Sequence, residues 1–209
     1  MLVQRVAMQL VLASSSPRRQ QILQNLGVTF QTREPRPEAE RSLPRHLPLQ
    51  RLLHLLPEVS QGKAVDVASR FEGAALVVAA DTVVFAQGEV LNKPGGNLLA
   101  RRHLEKLSGR AHRVLTSVTV MHTETGMLYS EVESTEVRFR ELTSDDIETY
   151  LGTGEPLDKA GSYGIQGWGC LLVASIKGRY DNVVGFPMGT LEKLLALHGV
   201  SLYHFRSPC

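Results

Sequence analysis

Residues 76–80 form an unbroken apolar run rich in valine, closed by Asp81 and Thr82. A run this short, with no polar side, describes a strand covered on both faces rather than one lying on water. A strand buried that way needs helices above and below its sheet, which points to an α/β fold. It also places Asp81 at the end of a buried strand, where α/β proteins bind their ligands. A carboxylate there can hold a divalent metal, activate water, or only make a local turn bond. The residues by themselves leave those readings level.

The flanking pattern supports that architecture. Residues 8–13 read as a strand. Ser16-Pro17 reads as a helix start, with Ile22, Leu23 and Leu26 on one face and Gly27 after it. Residues 83–85 and 90–91, joined at Gln87-Gly88, read as a hairpin. Helices are expected over 97–107, from Thr143 to Leu151, and over 188–198. Strands are expected over 114–121, 128–139, 171–176 and 183–184. Residues 31–62 carry Pro35, Pro37, Pro44, Pro48 and Pro57. They are expected to be irregular and partly mobile, with a short helix over 50–56 and a separate one over 62–71. Strands and helices alternate early and an antiparallel stretch follows, so the sheet should be mixed.

With 209 residues, 43% of them hydrophobic, the chain can bury a core of ordinary size. Its 23 basic and 21 acidic residues leave a formal charge of +2, too balanced for a nucleic-acid surface. Two cysteines, Cys170 and Cys209, are no disulfide framework and suit a reducing compartment, so a cytoplasmic location is expected. Cys170, beside an apolar run, is expected to be buried. No apolar run approaches the ~18 residues of a membrane span. Arg5 followed by residues 6–13 resembles a weak leader peptide, but Gln9 breaks it and a buried first strand fits better. The seven histidines show no metal-ligand spacing and read as surface or structural.

Four segments could carry chemistry. The turn Ser14-Ser15-Ser16-Pro17-Arg18-Arg19 combines free amides at a helix start with two guanidinium forks, both suited to phosphate. A plain capped helix with solvated arginines is the bland alternative. Asp81-Thr82 is the second segment. Lys93, held extended by Pro94, could reach a phosphate or simply face water. The loop from Asp158-Lys159 to Gln166-Gly167 holds three glycines and one amide. A glutamine amide both donates and accepts. It can therefore meet the N3 donor and O4 acceptor of a uracil or thymine edge.

Taken in order, six segments resemble the Maf family. They begin at Leu10-Val11-Leu12-Ala13, continuing through the serine-rich turn, and at Ala80-Asp81-Thr82-Val83-Val84. They continue with Leu91-Asn92-Lys93-Pro94 and Leu107-Ser108-Gly109-Arg110, and end with the stretch from Glu155-Pro156 to Gln166-Gly167 and with Asn182-Val183-Val184-Gly185-Phe186-Pro187. The resemblance covers nearly the whole chain. It implies one Maf-like domain over 1–209, two lobes around a central cleft. The implied fold is an elongated mixed sheet flanked by helices, similar to inosine triphosphate pyrophosphatase. It implies hydrolysis of nucleoside triphosphates to monophosphate and pyrophosphate with Mg²⁺ or Mn²⁺. The form Tyr163-Gly164-Ile165-Gln166 is similar to the dTTP/UTP group, and CTP or modified pyrimidines are further candidates. A homodimer is a family expectation. The family's domain also occurs fused to methyltransferase-like domains resembling acetylserotonin O-methyltransferase.

Carried over by position, the resemblance makes Asp81, Lys93, Glu38 and Lys63 catalytic, with Asp81 and Glu38 as metal ligands. Ser14, Arg18, Arg19, Thr82, Lys159 and Gln166 would bind substrate. Glu38 comes from counting about eight residues past Phe30. Here the sequence departs from the family: Pro35 and Pro37 dilute the acidic motif. The helix expected before Lys63 is replaced by Leu56-Pro57-Glu58-Val59-Ser60-Gln61-Gly62. That departure is the one support for a second expectation, a nucleotide-binding regulatory module with impaired catalysis.

Overall fold

The computed structural model describes residues 8–207. Cys209 and the start of the leader-like stretch lie outside them. In chain order the elements are β1 (Gln9–Ala13), α1 (Pro17–Asn25), β2 (Gln31–Thr32), α2 (Leu49–Ala68), β3 (Ala75–Ala86), β4 (Glu89–Leu91), α3 (Asn97–Leu107), β5 (Ala111–His122), β6 (Leu128–Phe139), α4 (Ser144–Gly152), β7 (Val173–Lys177), α5 (Tyr180–Val184) and α6 (Met188–Leu197). The sheet runs β2-β1-β3-β5-β6-β7, with β4 also on β3. β1 is parallel to β2 and β3, and the other pairs are antiparallel, so the sheet is mixed as expected.

The apolar run does lie between two helical layers. Leu76, Val78 and Ala80 join Leu10 and Leu12 against Leu23 of α1 and Leu191, Leu194 and Leu195 of α6. The alternate residues Val77 and Ala79 join Val11 and Ala13 against Ala64 and Val67 of α2. This is the period of two expected of a pleated strand. β3 does not end at Asp81, however. It runs on to Ala86, where Val84 packs with α3 and α4 and Val83 packs with the first half of α2.

α2 departs most from the expectation. Instead of two short helices there is one of 20 residues, with Pro57 inside it. An interior proline costs about 3 kcal/mol. Leu52, Leu56, Val59, Lys63, Ala64 and Val67 repay it by burying one continuous stripe along the sheet. Ser60 donates to the Pro57 carbonyl (3.0 Å) and meets Ser117 and Thr119 of β5, each at 2.8 Å. The segment ahead of α2 is irregular but anchored. The Val90 amide donates to Arg45 O, Asn92 donates to Leu43 O, and the Arg36 amide donates to Asp66. Two smaller corrections follow. Residues 183–184 belong to α5, not a strand, because Gly185 at φ 106° ends a short helix that begins at Tyr180 and carries Asp181 in its first turn. Cys170 is exposed, because it sits in a 3-10 turn ahead of β7 rather than in the strand.

Candidate active site

The topology leaves one gap in the sheet. On the edge of β3 away from β5, β1 pairs with Ala75–Ala79 and β4 pairs with Val84–Ala86. Residues 80–83 therefore have no strand on that side. An open backbone edge inside a protein must find other partners. Here Arg19 supplies one: its Nη1 donates to Ala80 O at 2.8 Å. Neighbouring side chains point to opposite faces of a strand, so Asp81 turns toward α2 and Thr82 toward α1 and α5. A cavity of about 1090 Å³ wraps this gap and reaches both residues.

On the α2 side the Lys63 ammonium lies 2.6 Å from Asp81 Oδ1 and 2.7 Å from Glu40 Oε2. The Lys63 side chain is only 5% exposed, whereas that of Glu40 is 46% exposed. A buried ammonium is stable only with such partners. On the α1 side Ser14 is buried and accepts from the Ser16 amide at 3.1 Å. Ser16 is the N-cap of α1 but makes no capping bond. The first-turn amides are thus left to a ligand, beside a cavity that Ser14, Arg18 and Arg19 also line.

The cations differ in freedom. Arg19 spends itself on Gly185 O, Ser14 Oγ, Ala80 O and Thr82 Oγ1, at 2.8–3.2 Å. Burial pulls its guanidinium below the ordinary value, opposed by the charge of Asp81. It is a strut tying β1, β3 and the end of α5 together. Arg18 makes only a 3.3 Å contact with Asp158, whose side chain is 66% exposed. Exposed pairs of this kind are worth about 0–1 kcal/mol, so Arg18 is free to exchange Asp158 for a phosphate. Lys93 lines the wall, exposed, with no hydrogen bond or ion pair among the described residues.

The far wall is the loop that carries Gln166, itself exposed to the cavity. Its shape is set from behind. The Glu155 carboxylate accepts from Tyr150 Oη (3.0 Å), the Trp168 amide (2.8 Å) and the Gly169 amide (3.3 Å). A Cβ at Gly167 would clash with the Glu155 carboxylate, so a side chain there would push the carboxylate from this position. Lys159 Nζ donates to Glu155 O at 2.8 Å and pairs with Asp158 at 2.6 Å. His103 meets Ser162 Oγ and His112 meets Tyr163 Oη, both at 2.8 Å. Burial pushes both imidazoles down to about 4, with Arg45 and Lys106 adding to the fall at His103. Both are neutral at pH 7.

The model of the Maf-like protein family matches residues 9–198. The chain belongs to the Maf family. It is 47% identical to a dTTP/UTP pyrophosphatase of Moorella thermoacetica, over 93% of this chain and 97% of that one. It is 44% identical to one of Halalkalibacterium halodurans, over 92% and 97%. Among solved structures, a HAM1 protein from Coxiella burnetii aligns over 92% of this chain and 98% of that one, at 14% identity and a TM-score of 0.45. That likeness is too slight to carry an argument.

In this Maf chain the cavity brings together Ser14, Arg18, Arg19, Lys63, Asp81, Thr82, Lys93, Lys159 and Gln166. Glu38 is the exception. It lies exposed in a 3-10 turn, Pro37–Ala39, and does not line the cavity. Glu40, two residues on, makes the contact with Lys63 instead. The position counted from Phe30 thus falls on the turn, and the acid that reaches Lys63 in the cavity is the next one along. Glu155 was given no role of its own from sequence, its partners lying 5–14 residues along the chain; His103 and His112, read as surface or structural, are buried and structural, with partners 59 and 51 residues away. Arg41 also lines the cavity unforeseen. Among the described residues no three of His, Cys, Asp and Glu form a cage for a metal. Two carboxylates in a cavity that an uncapped helix start also lines nevertheless fit Mg²⁺ or Mn²⁺, which take one or two carboxylates and complete their shell with phosphate oxygens and water.

Proposed function

We propose that this chain is a nucleoside triphosphate pyrophosphatase acting on dTTP and UTP, with CTP or modified pyrimidine nucleotides as further candidates. The observation that carries the reading is the Lys63–Asp81–Glu40 cluster on the open edge of β3. It stands between an uncapped helix start and a glutamine-bearing loop. The names of the relatives agree with it.

In this reading the triphosphate lies along Ser14 and the first turn of α1, with Arg18 and Lys93 neutralising its charge. Arg19 and Thr82 hold the turn against β3, and Lys159 steadies the loop. Gln166 pairs with the N3 donor and O4 acceptor of the pyrimidine. Asp81 accepts a proton from a water that attacks the α-phosphorus. The new oxygen–phosphorus bond forms as the bond to the bridging oxygen breaks, and pyrophosphate leaves. Asp81 and Glu40, rather than Glu38, would hold a divalent ion, which when bound supplies charge neutralisation and Lewis acidity at the phosphates. Residues 1–209 are read as one Maf domain around this cleft. No helix among the described residues is long and apolar enough to cross a membrane. The exposed thiol of Cys170 suits a reducing compartment, which supports a cytoplasmic location.

Hydrolysis of UTP in ¹⁸O-labelled water tests the bond cleaved. The label should appear in the nucleoside monophosphate and not in pyrophosphate. Label in pyrophosphate, or release of diphosphate nucleoside and free phosphate, would overturn attack at the α-phosphorus.

A further inference from the structure

Lys63 occupies the space between two carboxylates of the cavity, Asp81 and Glu40. Its nitrogen is 2.6 Å from one carboxylate oxygen and 2.7 Å from the other, so the ammonium bridges two carboxylates by charge-assisted hydrogen bonds; a Mg²⁺ ion bridging the same two oxygens would draw each to about 2.0–2.1 Å. Its stem is fixed in the middle of α2, between Ser60 and Val67, both buried against the sheet. The ammonium therefore cannot withdraw into solvent as a surface lysine would. Glu40 can move, being nearly half-exposed on an irregular segment, while Asp81 is held on β3.

We propose that Lys63 is a resident cation that keeps the divalent-ion position closed until a nucleotide arrives. A divalent ion taking the same two oxygens would lie beside a fixed positive charge, and in a partly buried site that repulsion is weakly screened. A triphosphate changes the balance, because its oxygens accept the ammonium and ligate the ion together. The ion is then bound well only with its nucleotide, so the apoprotein does not gather free metal. This rests on the reading of the cavity as a triphosphate site. It adds an order of events to that reading and gives Lys63 a part played before any chemistry.

The test measures Mn²⁺ binding to the nucleotide-free full-length chain, from the loss of the free-ion signal in electron paramagnetic resonance. Lys63→Met should bind Mn²⁺ at least ten times more tightly than wild type. Adding Asp81→Asn to Lys63→Met should abolish that gain, showing where the ion sits. A UTP analogue with a non-hydrolysable α,β bridge should raise Mn²⁺ affinity strongly in wild type and much less in Lys63→Met. Lys63→Gln, which keeps a polar head without the charge, should also gain affinity and serves if the methionine variant fails to fold by circular dichroism. Folded variants that bind Mn²⁺ no better than wild type would overturn the proposal, even if wild type releases pyrophosphate. Absence of pyrophosphate release from wild type, with the Mn²⁺ gain present, would count against the enzymatic reading and leave the cation exchange standing.

Discussion

The Lys63 ammonium draws in two carboxylates, and each can be removed alone. Glu40→Gln should lower the rate of pyrophosphate release on the order of 10-fold or more, as loss of a metal-site partner does. Glu38→Gln, on an exposed turn, should stay within about twofold, the range of ordinary surface changes. Steady-state kinetics of the two variants separate the acid that was counted from Phe30 from the acid that the fold delivers. A second residue-scale effect concerns His112. Above pH 6.5 the histidine is neutral in both folded and unfolded chains. Below it the unfolded chain takes up a proton, which the native one refuses until about pH 4. Stability should therefore fall as pH drops from 6.5 to 4, His112 contributing on the order of 3 kcal/mol to the loss. Thermal unfolding across that range should show a flatter slope for His112→Gln than for wild type; equal slopes would contradict the assignment. At this scale the sequence was legible for Asp81, Lys93, Arg18 and Gln166. Local chemistry left each of them open between a functional and a bland reading, and their joint order, resembling one family, singled them out; the fold brings all four to one cavity. Glu40 was not legible, because its partner is 23 residues away on a helix that the prolines concealed.

At the level of elements, α2 positions the site and the glycine-rich loop closes it. Ser60 joins α2 to β5 through two buried hydroxyls, one turn from Lys63. Ser60→Ala leaves those hydroxyls short of a partner and should cost ~1–3 kcal/mol in urea unfolding, with the midpoint lowered. Gly161 lies at φ 69°, and a Cβ there would stand 2.7 Å from Val84 Cγ2. Gly161→Ala should raise KM for UTP and lower stability by more than ~1 kcal/mol. Adding Val84→Ala should recover the packing part of that loss and not the backbone part. Elements with a clean period were readable: β6 has the predicted bounds, and the Thr143 start of α4 is a capping box with Asp146. α2 was hidden because Pro57 and Gly62 are local breakers, and only long-range burial overrides them. α5 was hidden because five residues are too few to show a period, and two adjacent valines favour a strand.

Across the whole molecule, function follows from one irregularity of the sheet. β3 is 12 residues long, while β1 and β4 cover only its two ends on one edge. The gap admits side chains from both faces: Lys63 and Glu40 on one, Arg19 and Thr82 on the other. The apolar run over 76–80 foretold the two layers around β3, but not that the strand continues beyond Asp81. Strand length here depends on pairing with β5, which is invisible locally. The central claim is that the gap is a hydrolytic site for pyrimidine triphosphates with Asp81 at its centre. The most direct measurement is pyrophosphate release from a panel of nucleoside triphosphates with Mg²⁺ or Mn²⁺, wild type beside Asp81→Asn. Release should be greatest from dTTP and UTP and should fall at least ~10²-fold in the variant, the low end of general-base effects. Near-normal turnover by folded Asp81→Asn, or no release from any nucleotide by folded wild type, would contradict it.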